Sequence, residues 1–84
     1  MGKVLIVDDD RQLRQALLQT LELAGVQAQG AGSFIEAKDF IKDDFDGIVL
    51  SDLRMPGRDG FHLLSYSQKI DPELPVILLT GHAE

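Results

Sequence analysis

The sequence predicts an α/β fold, a doubly wound parallel sheet flanked by helices, and three observations carry that prediction. Apolar runs without polar alternation, Val4-Leu5-Ile6-Val7, Ile48-Val49-Leu50 and Val76-Ile77-Leu78-Leu79, read as strands covered on both faces. Between them lie stretches whose apolar residues recur at helical spacing. The connections are short, which favours right-handed crossovers between parallel neighbours.

Taken in chain order, Lys3 to Val7 is expected as a central strand. Asp9 or Asp10 can cap the helix that follows, whose apolar positions are Leu13, Leu17, Leu18, Leu21 and Ala24, and Gly25 stands where a left-handed residue ends a helix. Val26 to Ala31 is predicted as a weak, half-exposed edge strand, because apolar residues alternate with glutamines. Ser33-Phe34-Ile35-Glu36 has the spacing of a capping box and opens a helix with Phe34, Ala37, Phe40 and Ile41 inward. Asp46-Gly47 turns into the buried strand Ile48 to Ser51. After a loop rich in turn formers comes a helix with Phe61, Leu64 and Ile70 among its inward candidates, stopped by Asp71-Pro72. Pro75 starts a last buried strand, Val76 to Thr80, with an unpaired or thinly covered outer edge.

Eighty-four residues allow one domain at most. The absence of cysteine excludes disulfides, thiolate metal sites and thiol nucleophiles. Met1-Gly2-Lys3 runs straight into a four-residue apolar stretch, too short for a signal peptide, and no segment approaches the roughly 20 apolar residues of a membrane span. A cytoplasmic location with no membrane contact is expected. The net charge of −6 repels phosphates, so direct nucleic-acid binding by this segment is not expected.

The acids are placed unevenly. Asp8 and Asp9 directly follow the first apolar run and Asp52 the third strand, so parallel pairing of these two strands delivers three carboxylates to one sheet edge. Carboxylates crowded together disfavour one another's ionisation unless a cation intervenes. Magnesium suits such a site, since it takes hard oxygen ligands and needs few carboxylates. An aspartate there can also attack a phosphoryl group and become an acyl phosphate, and Thr80 at the end of the last strand points to the same rim. The plainer reading makes Asp8, Asp9 and Asp52 helix caps worth about 1 kcal/mol each. It does not account for their convergence. His62 and His82 read as surface or rim residues, and Met55-Pro56 as loop packing and turn geometry.

Val7-Asp8-Asp9-Asp10, then Ser51-Asp52-Leu53-Arg54-Met55-Pro56-Gly57-Arg58-Asp59-Gly60, then Leu79-Thr80-Gly81 resemble the receiver domain of two-component response regulators. The resemblance covers the whole chain in order. It implies a flavodoxin-like sheet of order 2-1-3-4, with a fifth strand and the last helices missing. Residues 1–84 are then a partial receiver domain, and the protein is expected to continue beyond Glu84. By the same resemblance Asp52 is the phosphoacceptor and Asp9 a direct Mg²⁺ ligand. Asp8 holds a metal-bound water, and the Arg54 backbone carbonyl completes the metal shell. Thr80 is the switch hydroxyl, and Gly81 leaves room for the donor.

The wording of Asp52 to Gly57 and of Asp71 to His82 is similar to receivers of nitrogen-regulation-type, sigma-54-dependent activators, nearest in flavour to C4-dicarboxylate transport regulators. The implied partners are a sensor histidine kinase and an output domain of the same chain, with a homodimer or segment exchange through the uncovered fourth strand. The chain departs from the family in lacking the fifth-strand lysine that pairs with the phosphoryl group. Two rivals follow from other classes. A Mg²⁺-dependent aspartyl-phosphate phosphotransferase would need a second acid two residues after its nucleophile, where Arg54 stands, so the chain is not expected to be an enzyme. A non-phosphorylatable interaction module would not need the intact acid triad.

Overall fold

The computed structural model describes residues 2–55 and 57–79. Along the chain run β1 (Lys3–Val7), α1 (Arg11–Leu23), β2 (Ala28–Ala31), α2 (Phe34–Lys38), β3 (Gly47–Asp52), α3 (Gly60–Ile70) and β4 (Val76–Leu79). The strands form one all-parallel sheet of order β2-β1-β3-β4, the order that the receiver resemblance implies. β1 pairs with β3 from Lys3 opposite Gly47 to Val7 opposite Ser51.

Strand alternation sorts the side chains into two layers. Leu5, Val7, Ala31 and Val49 meet Phe34 and Ala37 of α2, Leu63 of α3, and Ile41, Met55 and Leu74 from the connections, and this is the main core. Ile6 and Gly30 belong to the opposite layer, where Leu18 of α1 lies against Gly30. Helices on both faces make the sheet doubly wound. Ile48 of β3 and Ile77 and Leu79 of β4 share the α1 layer by register but are 39%, 47% and 39% exposed, because α1 packs over β1 and β2.

Local chemistry explains where the elements depart from expectation. α1 ends in a Schellman motif: Gly25 adopts φ 81°, its amide donates to Glu22 O at 3.0 Å, and the Val26 amide donates to Leu21 O at 2.9 Å. That bond commits Val26 to the helix end, so β2 starts at Ala28 and not at Val26. No residue of α1 is fully buried and Leu13 is exposed, so its apolar stripe is only half covered among the described residues. The Ser33 hydroxyl accepts from the Glu36 amide at 3.2 Å, but the Glu36 carboxylate reaches the Gly32 amide at 2.7 Å, which shifts the reciprocal arm of the capping box one residue upstream. α2 closes after Lys38 in i→i−3 bonds from Asp39 and Phe40, so Phe40 and Ile41 pack from a turn and not from a helix.

The rotation of α3 also differs from expectation. Its buried residues are Gly60, Leu63 and Ser67, with Leu64 and Ile70 half-buried and Phe61 58% exposed. The Gly60 amide donates to Leu53 O at 2.9 Å, and a Cβ on Gly60 would stand 2.8 Å from Asp52 O and 2.9 Å from Leu78 Cδ2. That approach, possible only without a side chain, fixes Gly60 as the inner line of the helix. Phe61, about 100° further round, is thereby turned outward. Ser67 hides in the inner stripe by donating its hydroxyl to Leu63 O at 2.8 Å. β4 is half-buried on one face and exposed on the other, less enclosed than its uniform apolar composition predicts.

Candidate functional site

β1 and β3 lie side by side, and the chain leaves them toward opposite ends of the sheet: β1 leads to β2, β3 leads to β4. Their carboxyl ends therefore open into the crevice where α/β sheets hold ligands. Asp8, Asp9 and Asp52 meet there, each offering a carboxylate oxygen within 4.8 Å of those of the other two. Asp8 and Asp52 are buried, at 3% and 4% exposure, whereas Asp9 faces solvent.

Each acid is placed by its own set of backbone bonds. The Asp8 amide extends the β1–β2 ladder by donating to Ala31 O at 3.0 Å, and its Oδ1 accepts the Asp10 amide at 2.9 Å. Asp10, not Asp9, caps α1, its Oδ1 accepting from the Leu13 amide at 3.1 Å. The neighbouring acids thus divide the work: Asp10 starts the helix, while Asp9 joins the cluster. Asp52 is the last residue of β3, opposite Leu79, and both main-chain groups of the next residue are held, the Leu53 amide donating to Leu79 O at 3.0 Å and Leu53 O accepting from the Gly60 amide at 2.9 Å. The Arg54 amide approaches Asp52 Oδ1 at 3.4 Å, and its side chain is exposed.

The electrostatics match the crowding. The Asp8 carboxyl is pushed above its ordinary value, first by burial and then by the charges of Asp52, Asp9 and Asp10, with the Asp10 amide pulling the other way. Three hard oxygen donors around one point, two of them out of water, form a donor set suited to a divalent cation. With so few carboxylates and water reaching Asp9, the set fits Mg²⁺ better than a cage for Ca²⁺.

The site loop is braced from both sides. Met55 is buried in the main core, as its loop-packing role requires. Asp59 caps α3 by accepting from the His62 and Phe61 amides at 3.3 and 3.0 Å, and these bonds, that of the His62 amide first, draw its carboxyl below the ordinary value. His62 completes that box: Nδ1 lies 3.2 Å from the Asp59 amide and 3.0 Å from Asp59 Oδ1, accepting from the former or donating to the latter according to its proton. The sequence predicts His62 as a surface or rim residue, although Asp-x-x-His at a helix start has capping-box spacing. Arg14 also reaches the site, its Nη1 donating to Asp8 O at 2.6 Å. Nothing in the sequence distinguishes that arginine from the polar face of α1. Pro56, Thr80, Gly81 and His82 lie outside the described residues.

Residues 4–84 match the response regulator receiver domain family. The chain is 51% identical over 81 residues to the C4-dicarboxylate transport transcriptional regulatory protein DctD of Rhizobium meliloti, covering 96% of this chain and 18% of that protein. It is 36% identical over 83 residues to the DNA-binding transcriptional regulator NtrC of Escherichia coli, covering 99% of this chain and 18% of that one. The chain thus spans less than a fifth of the length of these relatives. Among solved structures, the non-phosphorylated HemR receiver domain of Leptospira biflexa superposes with a TM-score of 0.90 at 30% identity, covering 100% of this chain and 68% of that one. A CheY-like receiver domain protein of Methanospirillum hungatei gives 0.89 at 31%, covering 100% and 67%. Among the described residues no helix is long and apolar enough to cross a membrane.

Proposed function

The chain belongs to the response regulator receiver family, and from that premise we propose that it is a phosphoryl-accepting switch with Asp52 as the acceptor. The observation that carries this reading is the buried Asp52 carboxylate at the end of β3, within 4.8 Å of the oxygens of Asp8 and Asp9. Residues 1–84 are assigned to one receiver unit.

Asp9 and Asp52, with the Arg54 backbone carbonyl, would hold Mg²⁺ directly, and Asp8 would orient a water of its shell. When bound, Mg²⁺ supplies the positive charge that offsets an approaching phosphate among three carboxylates. The rest is done by the chain's own groups. An Asp52 oxygen attacks the phosphorus of a phosphohistidine on a sensor kinase; the O–P bond forms as the P–N bond breaks, and the departing imidazole nitrogen takes a proton from solvent. The backbone bonds that follow Asp52 fix its main chain at the rim, which reduces the orientational freedom lost in reaching the reactive geometry. Thr80 would then hydrogen-bond the phosphoryl oxygens and draw the end of β4 toward Asp52, biasing a two-state element. Arg54, where a turnover enzyme of this chemistry would carry a second acid, favours a signalling role over a phosphotransferase.

The similarity to DctD supports a sigma-54-dependent transcriptional activator of C4-dicarboxylate transport type, in which this unit governs an output domain of the same chain. Cytoplasmic residence accompanies that role. Self-association through β4 is part of the same reading, because its outer edge is unpaired among the described residues and Ile77 and Leu79 are exposed beside it. Light scattering on the wild type and on Ile77→Lys tests this, with a monomeric wild type as the refuting result.

The phosphoacceptor assignment is tested by incubating the chain with Mg²⁺ and a small acyl phosphate and measuring intact mass. One added phosphoryl group that requires Mg²⁺ and disappears in Asp52→Asn is expected. An adduct that persists in Asp52→Asn would refute the assignment.

A further inference from the structure

We propose that Arg14 is a positioning residue of the metal site, acting through the main chain of Asp8 without touching the ion. The inference rests on the Mg²⁺ reading of Asp8, Asp9 and Asp52 given above. Arg14 projects from the first turn of α1, and its Nη1 donates to the Asp8 carbonyl oxygen at 2.6 Å, a short, charge-assisted bond. That carbonyl belongs to the peptide joining Asp8 to Asp9, the two ligand-bearing residues of the β1–α1 connection. The Asp8 amide is already fixed by Ala31 O at 3.0 Å. With its carbonyl held as well, the main chain is pinned on both sides of the Asp8 Cα, which restricts the positions from which the Asp8 and Asp9 side chains project before any ion arrives. Partners that orient ligands in this way govern metal affinity without coordinating the metal.

The sheet makes room for this reach. The Arg14 stem crosses Gly30 of β2, where a Cβ would stand 3.2 Å from Arg14 Cδ, 3.3 Å from Cγ and 2.8 Å from Leu18 Cδ1. At Gly32, just beyond the strand, a Cβ would stand 3.2 Å from Arg14 Nη1. Two residues without side chains thus border the path from α1 to the Asp8 carbonyl. Solvation of a surface arginine needs no such path, and the guanidinium ends on a backbone carbonyl of the acid cluster.

The test titrates the 84-residue chain with Mg²⁺ alone by isothermal calorimetry, beside urea unfolding in chelator. Arg14→Met keeps the stem and removes the donor, Arg14→Lys keeps a donor, and Leu18→Ala loosens α1 over the same glycine while leaving the Arg14 bond. Arg14→Met is expected to bind Mg²⁺ about tenfold more weakly, Arg14→Lys to recover most of the loss, and Leu18→Ala to lose stability while keeping its affinity. Arg14→Met binding Mg²⁺ as tightly as the wild type overturns the inference alone. An equal loss of affinity in Leu18→Ala also overturns it, since general loosening of α1 would then suffice. A wild type that binds no Mg²⁺ overturns the metal reading and this inference with it.

Discussion

Replacing Asp8 by Asn is expected to stabilise the metal-free chain near neutral pH, against the usual direction of a substitution at a buried site. Asp8 and Asp52 are both buried and have oxygens within 4.8 Å of each other. At that separation two unit charges repel by about 3.5 kcal/mol with an effective dielectric constant near 20, and by about 0.9 kcal/mol with the screening of water. Water reaching the rim through Asp9 places the pair between these limits, and the new amide N–H groups cost part of the gain. The Asn carbonyl can still accept the Asp10 amide that Asp8 Oδ1 holds at 2.9 Å. A net gain of about 1–2 kcal/mol remains, or about 5–10 °C in Tm for a domain of this size. The sign with pH follows from the raised carboxyl of Asp8. The folded state binds that proton more tightly than the unfolded state, whose value lies near 3.8. Its contribution to stability is therefore full below that value and is lost as pH rises through the raised folded value. The advantage of Asp8→Asn is small in acid and grows across that window. Far-UV circular dichroism melts in chelator at low salt, over a pH series, measure it. Mg²⁺ is expected to raise the Tm of the wild type and to do so much less in the variant. A variant less stable than the wild type in chelator near neutral pH would refute the argument that the acid cluster strains the metal-free fold.

Gly60→Ala should weaken Mg²⁺-dependent phosphorylation along with stability, because the new Cβ meets Asp52 O at 2.8 Å and Leu53 Cα at 3.1 Å, both backbone atoms that cannot yield cheaply; overpacking of this kind costs about 1–3 kcal/mol, read by urea unfolding. Leu63→Ala, at the fully buried centre of α3, should cost about 2–5 kcal/mol in the same assay and leave the acid cluster intact. Ser33→Ala should lose about 1 kcal/mol through the cap of α2. Asp59 has a lowered carboxyl, so its capping contribution is present above the ordinary carboxylate value and fades as pH falls through the folded one. Protection of the Phe61 and His62 amides, their exchange relative to the intrinsic rate at each pH, should fall over that acid range in the wild type and be low at all pH in Asp59→Ala.

The parts of the fold that were legible in the sequence are those where one physical signal acts alone. Val4 to Val7 and Ile48 to Leu50 could hardly be anything but central strands, and with them came the convergence of Asp8, Asp9 and Asp52. Errors arose where two signals competed for one residue. Val26 has strand character but is claimed by the helix end through its bond to Leu21 O. Phe61 is the most apolar residue at the start of α3, yet the approach of Gly60 to Asp52 O decides the rotation and turns it outward. Ser67 is polar by type and fully buried in fact, because the carbonyl that satisfies it lies within its own helix. Arg14 could not be found at all, since its role depends on a contact across three elements that no local pattern encodes.

Alternation along β3 has a consequence for how this chain can vary in length. Ser51 and Asp52 are consecutive, so one enters the α2–α3 layer while the other lies at the rim beside Leu79. Inserting or deleting a single residue within β3 would exchange them, sending a carboxylate toward Leu5 and Val49 and presenting a hydroxyl where the acid belongs. Length changes can therefore accumulate in connections such as Asp43–Asp46, which are exposed or half-buried, but not in the strands that precede the acids. The strands act as a reading frame for the chemistry, and a frameshift in three dimensions would silence the site even if every residue type were kept.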